Sequence, residues 1–487
     1  MFRPPKPVWR ACVLVAVVGC APRSIAQTWS RTIGGTNSEV GHGVVAIDDG
    51  GCIISGSTGS FGAGGGDLYL LKLTATGDLA WSRAIGSPSV EAGWRIAAAG
   101  DGTLLIAGST NQGNGGYDGW LVHTDATGQV IDQHIYGGSD WDLLYDVAPL
   151  VSGAYAVGQT YSQGIGGDIW LLRLDTAGDT LWTRTLGGAY VDEGRSVRTT
   201  PDGGCIIAGT WGVDGSNSDL LVAKFAADGT LEWRTLVGGT TDLDAGFGVA
   251  VKADGGYIAC GTMLSDVDDQ PILLVALLAD GSVDWSKTVG GPGMWAAREV
   301  RERPDGGIVA VGFTDAFGAG RRDMYLLFTD ASGEFEQGRT YGQSENDEAW
   351  AFAPTIDGGY VVVGVASGYG PGTNAVLAVK GDANGNVSSS AITIELDPLG
   401  MDDLEAPSSS ALFPNPALPG TTVSWRSPDL HPTRVTVMDA QGRIVLDEGL
   451  SALDPHFRVP QLASGPYRVL LSGREGVLLN APLLVQP

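Results

Sequence analysis

The sequence is poor in the residues that most catalytic and metal-binding sites require. Its 487 residues include only five cysteines and five histidines, and charged residues make up 17% of the chain. The histidines form no HExxH motif and no paired metal-ligand spacing, and the chain has neither a P-loop nor a GxSxG motif. These absences exclude the common sequence signatures of zinc proteases, P-loop NTPases and α/β-hydrolases.

The few cysteines do not form a recognisable framework. Cys52, Cys205 and Cys260 are left once the N-terminal 26 residues are set aside, and no two of them have CxxC spacing. An odd number without that spacing speaks against a disulfide framework or a zinc site. We therefore predict that the three thiols are small buried hydrophobic residues.

Basic residues are also scarce. Lysine and arginine total 29 against 55 acidic residues, which gives a formal net charge of −26. A surface of this charge repels phosphate backbones and anionic lipids, so we predict no nucleic-acid partner. Cations, basic ligands and neutral glycans stay open as partners.

Long hydrophobic runs are absent except near the N-terminus. Three basic residues precede an apolar run at 11–19, and Ser24-Ile25-Ala26 suits cleavage by signal peptidase before Gln27. A run of about nine residues is too short to span a bilayer. We predict a signal peptide at 1–26, a secreted protein and no transmembrane segment. An alternative is that Val17-Val18-Gly19-Cys20 is a lipobox and Cys20 is lipidated.

Glycine, in contrast, is abundant, and it marks the ends of a repeated unit. The chain has 75 glycines and is 43% hydrophobic. In one copy, at 166–188, two short apolar runs flank the turn Asp175-Thr176-Ala177-Gly178 and end at a Gly-Gly pair. Asp and Gly favour tight turns, and runs of this length favour strands over helices. The unit is therefore predicted to be a β-hairpin within a larger repeat.

The repeat has a regular period. A bulky residue of the last strand in each unit recurs at spacings of 50 to 52 residues, at Trp29, Trp81, Ile131, Trp182, Trp233, Trp285 and Phe335. Four short strands in about 51 residues is the size of a propeller blade. Seven such units predict an all-β fold, a seven-bladed β-propeller with four-stranded blades, over residues 27–386.

The strand count also predicts how the ring closes. Residues 28–33 have the pattern of the fourth strand of a unit but come before the first complete unit, whereas the seventh unit lacks a fourth strand. We therefore expect this N-terminal strand to pair with residues 375–379 and complete the last blade. Closure of this kind would hide the sheet edges that an open array exposes.

The composition changes after Asn386. Residues 387–411 are rich in Ser, Asp, Leu and Pro without repeat spacing, which predicts a linker. Residues 412–487 contain a Pro-Asn-Pro opening at 414–416, an Asp-x-x-Gly-Arg hairpin at 439–443, a Leu-x-x-Gly-x-Tyr step at 462–467 and an apolar terminal strand. This segment resembles the type A C-terminal sorting domain of type IX secretion cargo in Bacteroidetes-like bacteria.

The resemblance implies an immunoglobulin-like β-sandwich that the outer-membrane type IX secretion machinery recognises. It further implies export to the cell surface or medium, usually with removal of the domain. The C-terminal tail lacks the basic residue that many such domains carry, and an ordinary adhesive sandwich module is the alternative. Residues 28–380 resemble secreted bacterial propellers, a class that hosts many functions.

Carboxylates recur where one blade passes into the next. Each carboxylate lies five residues after the first glycine that ends the fourth strand of a unit, or six residues after it in one copy. The six residues are Glu39, Glu91, Asp142, Asp192, Asp244 and Asp347. In the remaining copy Trp295 occupies this position. In a four-stranded meander these connections share one end of the barrel with the loops between second and third strands. We predict an acidic crown at that end, with loop closure as the alternative role.

Three residues further on, each unit has a large side chain whose chemistry varies. These residues are His42, Trp94, Tyr145, Arg195, Phe247, Arg298 and Trp350. The loops between second and third strands add Phe61, Tyr117, Tyr161, Trp211, Phe317 and Tyr369. Variation at a fixed position is typical of a pocket lining, and aromatic faces beside polar groups suit a sugar. The alternative is that these side chains only plug the channel.

Three classes of function follow from this pattern. The first is a secreted or surface-displayed propeller that binds a glycan, an extracellular polymer or a protein without catalysis. The second is a polysaccharide hydrolase or lyase that uses the carboxylates at the channel mouth as acid and base. The third is a redox propeller, because Asp175 to Trp182 is similar to the tryptophan-docking repeat of quinoproteins. We expect a monomer with no cofactor, and calcium is left open.

Overall fold

The computed structural model describes residues 27–112, 116–239, 243–263 and 270–388, together with strand segments between 392 and 485. The predicted signal peptide at 1–26 and most of the residues between the C-terminal strands lie outside the described residues. The described chain forms 37 strands joined by turns and loops. The first strand is β1 (Trp29–Gly34).

Six four-stranded antiparallel meanders follow β1 along the chain. Blade 1 consists of β2 (Glu39–Ala46), β3 (Cys52–Thr58), β4 (Asp67–Leu73) and β5 (Leu79–Gly86). Blade 2 consists of β6 (Glu91–Ala98), β7 (Leu104–Thr110), β8 (Asp118–Thr124) and β9 (Val130–Tyr136). Blade 3 consists of β10 (Asp142–Leu150), β11 (Gly153–Thr160), β12 (Asp168–Leu174) and β13 (Thr180–Leu186).

The next three blades repeat this order. Blade 4 consists of β14 (Glu193–Thr199), β15 (Cys205–Gly212), β16 (Ser218–Phe225) and β17 (Leu231–Val237). Blade 5 consists of β18 (Ala245–Val251), β19 (Tyr257–Thr262), β20 (Ile272–Leu277) and β21 (Val283–Val289). Blade 6 consists of β22 (Trp295–Glu302), β23 (Ile308–Thr314), β24 (Asp323–Thr329) and β25 (Phe335–Tyr341).

The seventh blade joins the two ends of the propeller. It contains β26 (Asp347–Pro354), β27 (Tyr360–Ser367) and β28 (Asn374–Gly381), and its fourth strand is β1. The antiparallel register runs from Trp29 opposite Lys380 to Ile33 opposite Val376. The predicted seven-bladed propeller and its closure by the N-terminal strand are confirmed.

Burial differs between the middle and outer strands of a blade. The middle strands are covered on both faces, as in β12, where all seven residues are buried, whereas the outer strand β13 is mostly exposed or half-buried. Hydrophobic clusters form between neighbouring sheets: one joins Tyr155 and Leu171 of blade 3 to Ile207 and Leu221 of blade 4. The core is therefore a ring of blade-to-blade contacts around a channel lined by the first strands.

Two short strands lie within the range predicted as a linker. They are β29 (Ile392–Glu395), which pairs in parallel with β1, and β30 (Asp402–Glu405), which pairs in parallel with β5. The outermost strand of a blade offers unpaired backbone N–H and C=O groups, so a passing extended segment can add to it. The composition of the segment predicted no strands there.

The C-terminal strands form two further sheets. One contains β31 (Leu412–Phe413), β32 (Thr422–Trp425) and β35 (His456–Arg458), and the other contains β33 (Arg434–Asp439), β34 (Ile444–Gly449), β36 (Gly465–Gly473) and β37 (Gly476–Val485). Phe457 of the first sheet shares a buried cluster with Val435, Val437, Val469 and Leu471 of the second. The two sheets thus pack face to face as a small β-sandwich.

Candidate functional site

Each of the seven innermost strands contains a β-bulge near its start. The register between the first and second strands shifts around His42, Trp94, Tyr145, Arg195, Phe247, Arg298 and Trp350, and in blade 2 the shift also includes Arg95. A bulged residue has no direct partner across the ladder, and its side chain is re-aimed relative to the pleat. The bulges explain how consecutive blades direct these seven side chains to one place.

A glycine in the second strand faces each bulge. A Cβ at Gly158 would lie 1.7 Å from the carbonyl oxygen of Leu143, and a Cβ at Gly364 would lie 1.9 Å from that of Glu348. The carbonyl of the strand with the bulge occupies the space that a side chain would need. The seven glycines are Gly56, Gly108, Gly158, Gly209, Gly261, Gly312 and Gly364. Their period is a sequence signal for the bulges that our sequence analysis missed.

The bulged residues line one cavity at the end of the channel where the innermost strands begin. All seven, with Arg95, form the wall of a cavity of about 130 Å³. The structure therefore brings together every residue of the predicted variable set. The six aromatic residues of the loops between second and third strands are not among those lining it.

Aromatic rings contact one another in the cavity wall in tilted and edge-to-face arrangements. The ring centroid of His42 lies 4.5 Å from that of Trp94 and 5.1 Å from that of Trp350. The Arg298 guanidinium lies 3.7 Å from the ring centroid of Trp350, and that of Arg195 lies 4.2 Å from the ring of Tyr145. Cation–π contacts of this kind hold the planar groups against each other.

His42 is neutral at physiological pH. Burial, together with the nearby positive charges of Arg298 and Arg95, lowers the pKa of His42 from 6.5 to about 4, although a hydrogen bond to Gly93 opposes the shift. The ring Nδ1 lies 2.9 Å from the carbonyl oxygen of Gly93, which only accepts, so Nδ1–H is the donor. In this tautomer Nε2 carries a lone pair and acts as a hydrogen-bond acceptor.

The three arginines of the wall are paired with glutamates outside it. Arg298 contacts Glu348 at 2.8 Å, and Arg195 pairs with Glu193. Burial lowers the pKa of Arg298 to about 10, so the guanidinium stays charged at neutral pH. No acidic residue is among the eight described residues that line the cavity.

The six carboxylates predicted as an acidic crown are buried where the connections between blades meet the innermost strands. Each is at most 1% exposed. Glu39, Asp142 and Asp192 each accept a hydrogen bond from the backbone N–H four residues earlier, at 2.7 to 2.8 Å. Glu91, Asp244 and Asp347 accept equivalent bonds from the starts of their own connections. These contacts match the alternative role of loop closure, and none of the six lines the cavity.

The exception in the carboxylate series has the same role with opposite polarity. Trp295 replaces the carboxylate in blade 6, and its Nε1–H donates to the carbonyl oxygen of Gly291, four residues earlier, at 3.1 Å. In blade 7, burial raises the pKa of Asp347 to about 6, although backbone N–H donors oppose the shift. The position therefore requires a group that hydrogen-bonds the loop backbone, and charge is not the common property.

Beyond the cavity, an ion-pair network fills the middle of the channel. Glu299 of blade 6 contacts Arg95 of blade 2 at 2.6 Å, Arg301 at 2.9 Å and Arg198 of blade 4 at 3.6 Å. Arg198 also contacts Asp146 of blade 3 at 2.6 Å. The residues of this network also line a second cavity of about 510 Å³. Sequence reasoning missed the network because its members belong to four different blades.

The described residues contain no group of three or more His, Cys, Asp or Glu side chains placed to hold a metal ion. Cys52, Cys205 and Cys260 are free and buried, as the cysteine count predicted, and burial raises the pKa of Cys52 and Cys205 to about 12. Within the described part of the chain, no helix has the length and apolarity needed to cross a membrane.

Comparisons with known proteins give only distant structural similarities. No family model matches the sequence, and no curated protein matches it. Similar solved structures include the periplasmic gluconolactonase PpgL of Pseudomonas aeruginosa, with 14% identity, a TM-score of 0.44, and coverage of 67% of this chain and 99% of that chain. A protein of unknown function from Dyadobacter fermentans has 11% identity and a TM-score of 0.44 over 73% of this chain and 99% of that chain.

A third similar structure is the polysaccharide lyase Uly1. It has 11% identity and a TM-score of 0.43, and the match covers 70% of this chain and 89% of that chain. Similarity at this level does not transfer a function, since propellers with unrelated activities share the architecture. Any conclusion about function therefore depends on the cavity itself.

Proposed function

We propose that this protein is a secreted or cell-surface propeller that binds a sugar unit of a glycan or extracellular polymer in the channel-mouth cavity, without catalysis. The observation that supports the proposal is the convergence of seven bulged residues on one cavity. The scaffold around each bulge is constant, whereas the bulged side chain changes from blade to blade. A protein ligand is an alternative occupant of the same end of the propeller.

The wall chemistry suits a sugar. Trp94, Trp350 and Tyr145 contribute aromatic surface to the wall, and the C–H faces of a pyranose pack on aromatic rings. Arg195, Arg298 and His42 stand beside them and offer hydrogen-bond donors and one acceptor for hydroxyl groups. A cavity of about 130 Å³ is small, which favours a single sugar unit over an extended segment of polymer.

Catalysis by the predicted carboxylates is not part of the proposal. Glycosidases of the usual kind need two carboxyl groups on either side of the scissile bond. Here the six candidates are buried in their own loops and bonded to backbone N–H groups. They are therefore unavailable as a pair that faces a shared substrate.

Export is the second part of the proposal. The resemblance of residues 412–487 to a type A sorting domain supports recognition by the type IX secretion machinery, and the leader-like residues 1–26 support entry into the periplasm. Deleting 412–487 should trap the propeller inside the outer membrane. Continued surface display or release of the truncated protein, measured by protease accessibility of intact cells, would overturn this part.

A glycan and polymer binding screen tests the first part with the full-length protein. Trp94→Ala and Trp350→Ala should each weaken binding of a hit by about tenfold, because a ring that stacks on the sugar is lost. Trp182→Ala is the matched control, since this tryptophan lies on an outer strand and hydrogen-bonds Ala227. Unchanged affinity in both cavity variants, with native thermal stability, would exclude this cavity as the binding site.

A further inference from the structure

We propose that the sugar unit recognised by the cavity is acidic and carries a carboxylate, as in a uronic acid. This inference rests on the proposed sugar-binding function and specifies the chemistry of its ligand. It follows from three properties of the described cavity wall: its charge, its hydrogen-bond donors without partners, and its acceptor.

The charge of the wall is opposite to that of the protein. The chain has a formal net charge of −26, yet the cavity is lined by three arginines and no described carboxylate. The glutamates that pair with two of these arginines are shared with others: Glu348 also contacts Arg322, and Glu299 also contacts Arg198 and Arg301. Because each of these glutamates is shared, it neutralises the charge of its wall arginine only in part. The cavity wall therefore keeps a net positive charge.

Three N–H donors in the wall have no hydrogen-bond partner. They are Nε1 of Trp94, Nε1 of Trp350 and Nε of Arg298, and all three atoms are buried. Buried donors are satisfied in most folded proteins, so three unsatisfied donors on residues that line one cavity favour a ligand that brings acceptor oxygens. A carboxylate supplies two oxygens with about four lone-pair sites, and it binds a guanidinium more strongly than a neutral hydroxyl does.

The neutral ring of His42 adds a complementary requirement. Its Nε2 accepts a hydrogen bond, so it suits a hydroxyl of the ligand and not the anionic oxygens. A ligand with both a carboxylate and a hydroxyl on a ring that stacks on tryptophan satisfies the whole wall. A uronic acid has these groups, whereas a neutral hexose lacks the anion.

Matched sugar pairs test the inference by isothermal titration calorimetry on the full-length protein. Glucuronate is compared with glucose, and galacturonate with galactose, since each pair differs only at C6. At least one uronate should bind tenfold or more tightly than its neutral partner, and raising the salt from 50 to 500 mM should narrow the difference. Uronate oligosaccharides distinguish recognition of a chain end from recognition of the free monosaccharide.

The outcomes separate the inference from the function on which it rests. Equal affinity for both members of each pair overturns the carboxylate inference and leaves sugar binding intact. Tighter binding of a sulfated sugar than of any uronate also overturns it. Failure of every acidic and neutral sugar, monomeric or oligomeric, overturns both the inference and the proposed function.

Variants locate the effect. Arg298→Gln should remove most of the preference for the uronate, whereas Arg184→Gln should keep it. Arg184 is a matched control because it also stacks on a tryptophan, Trp182, but on an outer strand. If Arg298→Gln does not fold, Trp350→Phe keeps an aromatic ring but removes Nε1–H together with the pyrrole half of the indole, so it should weaken uronate binding several-fold more than it weakens glucose binding. Full uronate preference in the folded variants contradicts the assignment.

Discussion

Neutralising Glu299 should destabilise the whole propeller in a pH-dependent way. Burial alone would raise the pKa of this carboxyl, but Arg95, Arg301 and Arg198 outweigh it and hold the pKa at about 2, against 4.5 for an ordinary glutamate. A shift of that size corresponds to about 3 kcal/mol in favour of the charged form. Glu299→Gln should therefore lower the free energy of unfolding by about 3 kcal/mol at pH 7, and it leaves three arginines without their shared anion.

The sign of the pH dependence follows from the lowered pKa. The contribution of Glu299 is fully present above pH 4.5 and is lost as the pH falls toward 2, because the unfolded chain takes up the proton first. The wild type and Glu299→Gln should then differ by about 3 kcal/mol at pH 7 and by only about 1 kcal/mol at pH 3. Urea unfolding followed by tryptophan fluorescence measures both differences.

A matched substitution on the surface provides the control. Glu334 pairs with Lys287 on the exposed outer face, where an ion pair contributes about 0 to 1 kcal/mol. Glu334→Gln should therefore have little effect at either pH. A loss below about 1 kcal/mol for Glu299→Gln at pH 7, or a loss that does not shrink at pH 3, would refute the role assigned to the channel network.

Two further predictions concern the cavity scaffold. Gly364→Ala should destabilise the fold by about 2 kcal/mol or more and displace Trp350, because the new Cβ meets a backbone carbonyl. Thermal unfolding measures this loss. Gly100→Ala is the control and should be neutral, because its Cβ meets nothing within 4 Å. Because the pKa of His42 is lowered to about 4 in the folded protein, the unfolded chain binds a proton at this residue first as the pH falls below 6.5. The free energy of unfolding should therefore fall between pH 6.5 and pH 4, and the loss at pH 5 should be about 2 kcal/mol. His42→Gln should flatten this part of the urea-unfolding profile, and His456→Gln, a substitution in the C-terminal sandwich, should leave it unchanged.

The seven-bladed ring can be predicted from the sequence because local signals that repeat along the chain mark its strands and turns. Turn residues such as Asp175 and Gly178 mark the hairpins, and the bulky residue of each outer strand sets the period. The unmatched strand at 28–33 is enough to predict closure, since only one unit lacks a fourth strand. These features depend on neighbours in the chain, which a single sequence displays directly.

The candidate site is only partly predictable for a physical reason. The variable position at the start of the innermost strand identifies its members, and the frame brings them together. The neighbouring carboxylates have the same sequence signature as ligand-binding acids, but their partners are backbone N–H groups that composition does not reveal. The network around Glu299 joins residues that are up to 204 positions apart, so no local pattern marks it.

The strand that completes blade 7 has a consequence for the timing of folding. β1 is the first strand of the propeller to emerge during synthesis, yet its partner β28 is the last, and Trp29 meets a residue near the end of the repeat, Lys380. Until that meeting, β28 has an open edge, and the buried face of Ile33 has no neighbour. Contacts of such long sequence separation form slowly because the intervening chain must first be brought together. The propeller should therefore acquire its resistance to proteolysis in one late step, after β28 becomes available.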